Sequence, residues 1–484
     1  MHDFPLLTAL ILLPLLGGLT GLFFLRHPAQ ARLIGLITAL AELVLVLAAL
    51  PMVMNGTLVE KFQWIPLLHV EYSLAMDGLS YVLVLLTALL GVLGILTSWR
   101  EISEGVAVFH CLLLAALSAA IGVFLARDLL LFYLFWEAQL IPMFFLIGRY
   151  GHERRQYAAI KFFVFSMVGG LPMLLAVIWL LLTGVDPSLA ALAASPVQGT
   201  AQAWCAFAFI LAFGVKTPML PVHTWLPDAH TQAPTAGSLL LAGVLLKTGG
   251  YAMLRWAIPL FPQAVSAAAP WLAGVGLAGL FYASWIALAQ KDAKRLVAYS
   301  SVAHMGLIMF ALFAHDRTAM SGAVVQMVSH ALTTGALFVM VGMLAERFHS
   351  RQLADYGGLW GKMPVYGGFM LFFGVASAGL PGLSNFVGEL MIMLGSFRVY
   401  PVGACLAFFG VVVGLAYVLR LLQGTILGKP GPITLTAENM DLNGREILIL
   451  SVFAVAVLLV GTHPGPLLDL IREPLDALMA QWPG

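Results

Sequence analysis

Long apolar runs separated by short polar stretches dominate this sequence. A membrane span takes about 20 predominantly apolar residues to cross roughly 30 Å of hydrocarbon. Runs of that kind fall at residues 4–25, 32–54, 76–98, 106–126, 128–148, 161–183, 203–226, 234–256, 267–289, 295–314, 318–345, 363–398, 402–427 and 445–462. The pattern predicts an all-α polytopic membrane protein of about fourteen transmembrane helices. A segment from Pro466 to Trp482 then alternates apolar and charged positions and is expected to lie at the interface. The first run lacks a basic leader and a small-residue cleavage site, so it reads as a retained helix rather than a signal peptide.

Basic residues set the orientation, because Lys and Arg collect in cytoplasmic loops. Sixteen, Lys161 and Lys294 among them, lie in the loops after odd-numbered spans and five after even-numbered ones. The odd segments are therefore cytoplasmic, and both termini are expected on the periplasmic side. Composition agrees with the pattern: 61% of the 484 residues are hydrophobic and 10% are charged, too few charges for a water-soluble surface. The formal charge of +1 offers no basic field for nucleic acid. Cys111, Cys205 and Cys405 are far apart in apolar runs, which argues against disulfides and cysteine-ligated zinc or iron–sulfur sites. No GxGxxG after a strand pattern, GxxxxGK[ST] or HExxH occurs, so the chain is expected to carry no cofactor and no metal.

Two spans are interrupted. Span 7 carries KTPMLPVHTWLPDAH, with Pro218 and Pro221 in its middle, and span 12 carries ASAGLPGLSNFVGE, with Pro381 between Gly379 and Gly382. Proline removes a backbone donor, and freed backbone groups persist at membrane depth only where protein or a watery cavity satisfies them. Broken helices in corresponding positions of two halves point to an ion pathway. Five spans separate these two, as an inverted repeat of spans 4–8 and 9–13 requires. The chain divides accordingly into 1–105 (spans 1–3), 106–256 and 257–427 (the two repeats), and 428–484 (span 14 and the amphipathic segment).

Four ionisable residues stand inside the spans: Glu137 in span 5, Lys216 just before the break of span 7, Lys247 in span 8 and Glu389 after the break of span 12. Each costs about 2.5–3.5 kcal/mol at the bilayer centre unless paired or hydrated. Burial and a neighbouring opposite charge act in opposing senses on such groups, so a Glu137–Lys216 pair is expected to exchange protons near neutral pH. His304 and His330, in spans 10 and 11, extend the line, since imidazole both accepts and donates. The competing reading makes these residues structural ion pairs and helix contacts. His223, Asp228 and His230 lie near the end of span 7 and are secondary candidates. Glu42 is mid-span in span 2, has no evident relay partner, and is expected to face a neighbouring subunit.

The segments DLLLFYLFWEAQLIPMFFLIGRYG, FGVKTPMLPVHTWLPDAHTQAPTAGSLLLAGVLLKTGGY, KRLVAYSSVAHMG and LPGLSNFVGE resemble the antiporter-like membrane subunits of respiratory complex I. That family is shared with multisubunit cation/proton antiporters and membrane-bound hydrogenases. The resemblance implies that Glu137, Lys216 and Lys247 form a proton path ending at a charged residue on span 12, here Glu389. The L and N types place lysine there, so glutamate points to the M type, as does a chain that stops soon after span 14. It further implies a proton-translocating NADH:quinone oxidoreductase (a translocase) in a bacterial inner membrane. Antiporter-like neighbours of the L and N types are the expected partners, and quinone chemistry is left to other subunits. A cation/proton antiporter subunit is the competing function, and a non-transporting spacer the third.

Overall fold

The computed structural model describes residues 5–184, 186–436 and 441–482; Phe4, the predicted start of span 1, lies outside them. The elements in chain order are α1 (Leu6–Leu22), α2 (Pro28–Met54), β1 (Leu58–Ile65), β2 (Val70–Met76), α3 (Gly78–Glu101), α4 (Val106–Leu125), α5 (Leu129–Ala138), α6 (Leu140–Tyr150), α7 (Arg155–Leu182) and α8 (Leu189–Ala194). There follow α9 (Thr200–Lys216), α10 (Trp225–Gln232), α11 (Thr235–Leu260), α12 (Pro262–Ala289), α13 (Ala293–Leu312) and α14 (Arg317–Phe348). The chain continues through α15 (Pro364–Ser377), α16 (Ser384–Val399), α17 (Pro401–Thr425), α18 (Pro432–Thr436), α19 (Gly444–Thr462) and α20 (Gly465–Gln481). Among the described residues, eleven helices, α5 and α6 taken as one, are long and apolar enough to cross a membrane. Three shorter apolar helices, α1, α9 and α15, stand where spans 1, 7 and 12 were predicted.

Aspartates start several of these helices by accepting from first-turn amides that have no helical partner. Asp77 caps α3 through Ser80, Asp128 caps α5 through Leu130 and Leu131, Asp292 caps α13 through Arg295, and Asp316 caps α14 through Ala319. Asn443 and Glu446 form a reciprocal capping box on α19. Small residues then let the helices approach closely, as at Gly276 and Gly306, whose Cα atoms bring α12 and α13 into backbone contact. Helices α11 and α14 are buried along their apolar windows, while α2, α17 and α19 expose most of theirs, as lipid-facing helices do. Helix α14 is the hub, packing on α11, α13, α15, α16, α19 and α20.

The all-α expectation needs one correction. Residues between α2 and α3 form a two-stranded antiparallel hairpin, Leu58 opposite Met76 and Lys61 opposite Ser73. The segment reads VEKFQWI and VEYSLAM, rich in the aromatic and β-branched residues that suit strands. The hairpin also caps α1, because Glu60 accepts from the Leu7 and Thr8 amides (2.6 and 3.0 Å) and from the Thr8 hydroxyl (2.8 Å). Span 5 is also divided, with a turn at Gln139 between α5 and α6, because Pro142 cannot donate to the Ala138 carbonyl. The amphipathic segment is helical as expected and packs on α3 and α14. Of the three cysteines, Cys205 is buried, Cys111 partly buried and Cys405 exposed on α17, and all three are free.

Candidate functional site

The broken spans hold their charged residues at the breaks. Helix α9 ends at Lys216, and residues 217–224 form turns before α10 begins. Pro218 has no amide to offer Gly214 O, which accepts instead from the Met219 amide (2.8 Å), and Val215 O, left without Met219, accepts from the Trp225 indole (2.9 Å). The second break runs from Ala378 to Leu383, between α15 and α16. There Gly379, at φ +74°, lies so close to Glu389 that a methyl group would overlap Oε2.

Lys216 is buried, with Nζ 3.3 Å from the Trp136 carbonyl and 4.6 Å from the Trp136 ring centroid. The expected direct pairing with Glu137 is not formed: among the described residues no ion pair within 4.0 Å joins the two. Glu137 sits one residue beyond Trp136, at the end of α5, and its carboxylate rests against Gly170 of α7 with Oε1 unpartnered. Lys216 is held on the carbonyl of the residue just before Glu137, and no hydrogen bond joins the two side chains.

On α11, Lys247 is fully buried and follows a π-helical turn at Leu241–Leu245. A π turn widens the helix and releases a carbonyl, a feature common at functional sites. Lys247 Nζ donates to Ala242 O (2.5 Å) and lies 2.6 Å from His330 Nδ1. Gly249, close by on the same helix, admits Thr217 of the α9 break against α11. On α14 and α13, the rings of His330 and His304 are 5.4 Å apart. His304 Nδ1 is 3.9 Å from Glu389 Oε1, and Gln326 Nε2 bridges them at 3.4 Å to each. Tyr417 OH lies 3.4 Å from His304 Nε2. A cavity of about 10 Å³, room for one water, lies beside His304, Glu389, Ser284, Ser377 and Tyr417.

The structure therefore brings Lys247, His330, His304 and Glu389 into one polar line; Lys216 and Glu137 stand apart from it, Lys216 one residue before the Thr217 that packs on Gly249. A lysine 2.6 Å from an imidazole nitrogen has one proton to share along that contact. When Lys247 donates it, His330 carries its own hydrogen on Nε2, a buried atom with no partner that is free to pass it onward.

The secondary candidates separate. Asp228 of α10 is an ion-pair partner of Lys161 on α7 (2.7 Å) and of Arg295 on α13 (3.8 Å). Lys161 is thus a helical residue rather than a loop one. His223 sits in the α9–α10 turns, edge-on to Tyr282 at 5.1 Å. His230 is fully buried, stacked on Phe338 at 4.5 Å, with both ring nitrogens unpartnered. Glu42 is 3% exposed within this chain and so does not face a neighbour; both its oxygens are unpartnered.

Sequence reading missed Gln326, whose spacing one turn before His330 was the available signal, and Tyr417, which carried none. It also placed Lys294 in a loop, whereas the residue is buried in the first turn of α13. At the start of α3 it missed a cluster in which Asp77 accepts from Arg255 (2.6 and 2.8 Å) with Arg127 at 3.5 Å. Burial pushes the Asp77 carboxyl up, but the two guanidiniums outweigh it and hold it at about 2.

Residues 126–414 match the family described as NADH:quinone oxidoreductase/Mrp antiporter, TM. The NADH-quinone oxidoreductase subunit M of Pseudomonas aeruginosa is 44% identical over 88% of this chain and 86% of its own length. That of Escherichia coli K12 is 40% identical over 99% of this chain and 98% of its own length. Among solved structures, a chain of respiratory complex I from Thermus thermophilus superposes with a TM-score of 0.91 at 33% identity, covering 99% of this chain and all of that one. The chain belongs to the NADH:quinone oxidoreductase/Mrp antiporter transmembrane family, in its subunit M branch.

Proposed function

We propose that this chain is a proton-translocating membrane subunit of an NADH:quinone oxidoreductase, carrying protons along Glu137, Lys216, Lys247, His330, His304 and Glu389. The observation that carries the reading is the 2.6 Å contact of Lys247 with His330, both fully buried on α11 and α14, continued by His304 and Glu389. Ionisable groups at such depth are costly and cluster where ions move. The chain holds no redox centre or cofactor in this reading, and quinone reduction in partner subunits supplies the energy. Each proton moved against 100 mV takes about 2.3 kcal/mol.

The architecture proposed with it has fourteen spans, α9–α10 and α15–α16 each counting as one broken span. Inverted repeats occupy residues 106–256 and 257–427, flanked by 1–105 and 428–484. Both termini lie on the periplasmic side of a bacterial inner membrane, and antiporter-like neighbours of the L and N types flank the chain. A cation/proton antiporter subunit would use the same buried charges. The near full-length match to subunit M chains favours the redox pump.

The test is Glu137→Ala in the intact complex, with assembly followed on native gels and both NADH-driven quinone reduction and proton pumping measured in membranes. Loss of both in an assembled complex is expected. Unchanged activity would make the charges structural.

A further inference from the structure

Four titratable groups lie on the cytoplasmic side of Lys247 and outside the line described above: Glu101, His230, Lys294 and Glu346. Glu101, the last residue of α3, accepts through Oε1 from the Thr235 amide (2.8 Å) and hydroxyl (2.9 Å), while its buried Oε2 has no partner. Lys294 Nζ donates to Ala233 O (2.6 Å), two residues from Thr235. Both residues therefore grip the Ala233–Thr235 connection between α10 and α11, and His230 precedes it by one turn. A cavity of about 10 Å³ beside Glu101 is lined by Thr97, Thr235, Glu346, Arg445 and Glu446. Glu346 is exposed, which opens this cluster to the cytoplasm.

Helix α14 joins the cluster to the relay. Reading it in steps of four from its cytoplasmic end gives Glu346, Gly342, Phe338, Thr334 and His330. Gly342 has no side chain and Thr235 fills the space against it. Phe338 carries the His230 ring stacked at 4.5 Å. Thr334 Oγ1, His330 Nε2 and both nitrogens of His230 are buried without partners. Buried polar atoms are almost always satisfied by protein or ordered water, so these unpartnered ones, Thr334 and His330 one step of about 6 Å apart on α14 and His230 beside Phe338 one step before them, mark a track for water.

We infer that Glu101, His230 and Thr334 form a second proton-loading branch, running from the cytoplasm along α14 to His330 and Lys247 and reloading that half of the relay while Glu137 and Lys216 serve the other, so that coupled turnover needs both. It rests on the relay reading for its destination. In each passage Glu101 Oε2 binds one cytoplasmic proton and releases it through water to one nitrogen of His230. The opposite nitrogen gives up its hydrogen toward the Thr334 hydroxyl and on to His330, and no electrons change hands. Lys294 is a positioning residue, fixing the Ala233–Thr235 connection and supplying the positive charge beside Glu101. The charges that face the branch are Glu346 from α14, Asp292 and Arg351 beside Lys294, Arg445 and Glu446 from α19, His152 before α7, and Lys247 itself.

The test uses the assembled complex in proteoliposomes with the NADH site outward, so that the outer medium is the cytoplasmic side. If Glu101 loads protons, Glu101→Gln slows coupled turnover about tenfold at an outer pH of about 9, where uptake limits, and less than about twofold near pH 6. Inner pH has no such effect, and Glu101→Asp restores the alkaline limb. An equal fractional loss at every pH overturns the proposal, because that is what a structural role gives. Should Glu101→Gln fail to assemble, Thr334→Val removes one hydroxyl at nearly constant volume. It is expected to show the same alkaline slowing, and wild-type behaviour would overturn the branch. Full activity in Glu137→Ala with alkaline slowing in Glu101→Gln would sink the Glu137 route and leave this one standing; the reverse pattern would sink this one alone.

Discussion

Gly170→Ala tests the geometry of the relay without touching a charge. Gly170 lies on α7 against the Glu137 carboxylate, and a methyl group built there would overlap Oε1 while standing 3.2 Å from Cδ and 3.7 Å from Oε2. Ordinary contact requires Oε1 to withdraw by about 1 Å, and a misplacement of that size at a reacting group is worth on the order of 10²-fold in rate. The helix itself tolerates the change, since alanine is favoured over glycine in a helix interior by roughly 0.5–1 kcal/mol. NADH-driven quinone reduction and proton pumping are measured in membranes containing the assembled complex. The expected result is a loss of both by one to two orders of magnitude at normal assembly. Gly274→Ala on α12 is the control, for nothing lies within 4 Å of the added methyl and activity there is expected unchanged. Wild-type pumping in Gly170→Ala would refute the idea that the position of Glu137, rather than its mere presence, governs transfer.

Other substitutions probe the remaining parts. Gly379→Ala forces a side chain into the left-handed region at φ +74° and against Glu389 Oε2; strain of about 1–2 kcal/mol and displaced carboxylate together should reduce both thermal stability and pumping, read by a melting curve and a pumping assay on the same sample. Glu446→Ala removes the carboxylate that Arg347 holds at 3.0 and 2.5 Å between α14 and α19, and breaking a buried pair of this kind costs about 3–5 kcal/mol; the yield of assembled complex should fall, and normal yield would count the pair as dispensable. Asp77 has its folded carboxyl depressed to about 2, below the ordinary value near 3.9, so its contribution is complete above about pH 4 and lost as pH falls toward 2. Asp77→Asn should remove that part of the acid sensitivity and lower the melting temperature at pH 7, and an unchanged pH 7 melt would contradict the assigned ion pairs.

The apolar periodicity carried most of the helical order, because a run of 20 apolar residues has few alternatives in a membrane. It was blind wherever the answer depended on tertiary contact. The β1–β2 hairpin was invisible because it falls between two predicted spans and its apolar and polar residues do not alternate strictly, and its reason for existing, Glu60 on the start of α1, spans more than 50 residues. Pro142 sat in plain view, yet that Lys216 rests on the Trp136 carbonyl while Glu137 rests on Gly170 needed the packing of α5 against α7 and α9. Lys294 and Lys161 were assigned to loops because charge alone marks a span end, and a buried first-turn lysine looks the same in sequence as a solvated one. Lys247, Lys216 and Glu389 were legible for the opposite reason: a lone charge amid apolar residues has no solvated alternative.

One helix serves both ends of this chemistry, and the pitch of the α-helix explains how. At 3.6 residues per turn, a step of four residues advances about 6 Å and rotates about 40°. The line from Gln326 through His330, Thr334, Phe338 and Gly342 to Glu346 takes five such steps, so it climbs about 30 Å, the thickness of the hydrocarbon core, while winding more than halfway round α14. At its Gln326 end it faces α13 and α16, where Gln326 meets His304 and Glu389. At its Glu346 end it faces α11, α3 and α19, where Thr235, Glu101 and Glu446 gather. A stripe at the strict helical period would have served one neighbour only. The slow rotation lets a single helix, buried along its apolar window, join the polar groups of the first half of the protein to those of the second, which fits a long, unbroken α14 with α9–α10 and α15–α16 interrupted around it.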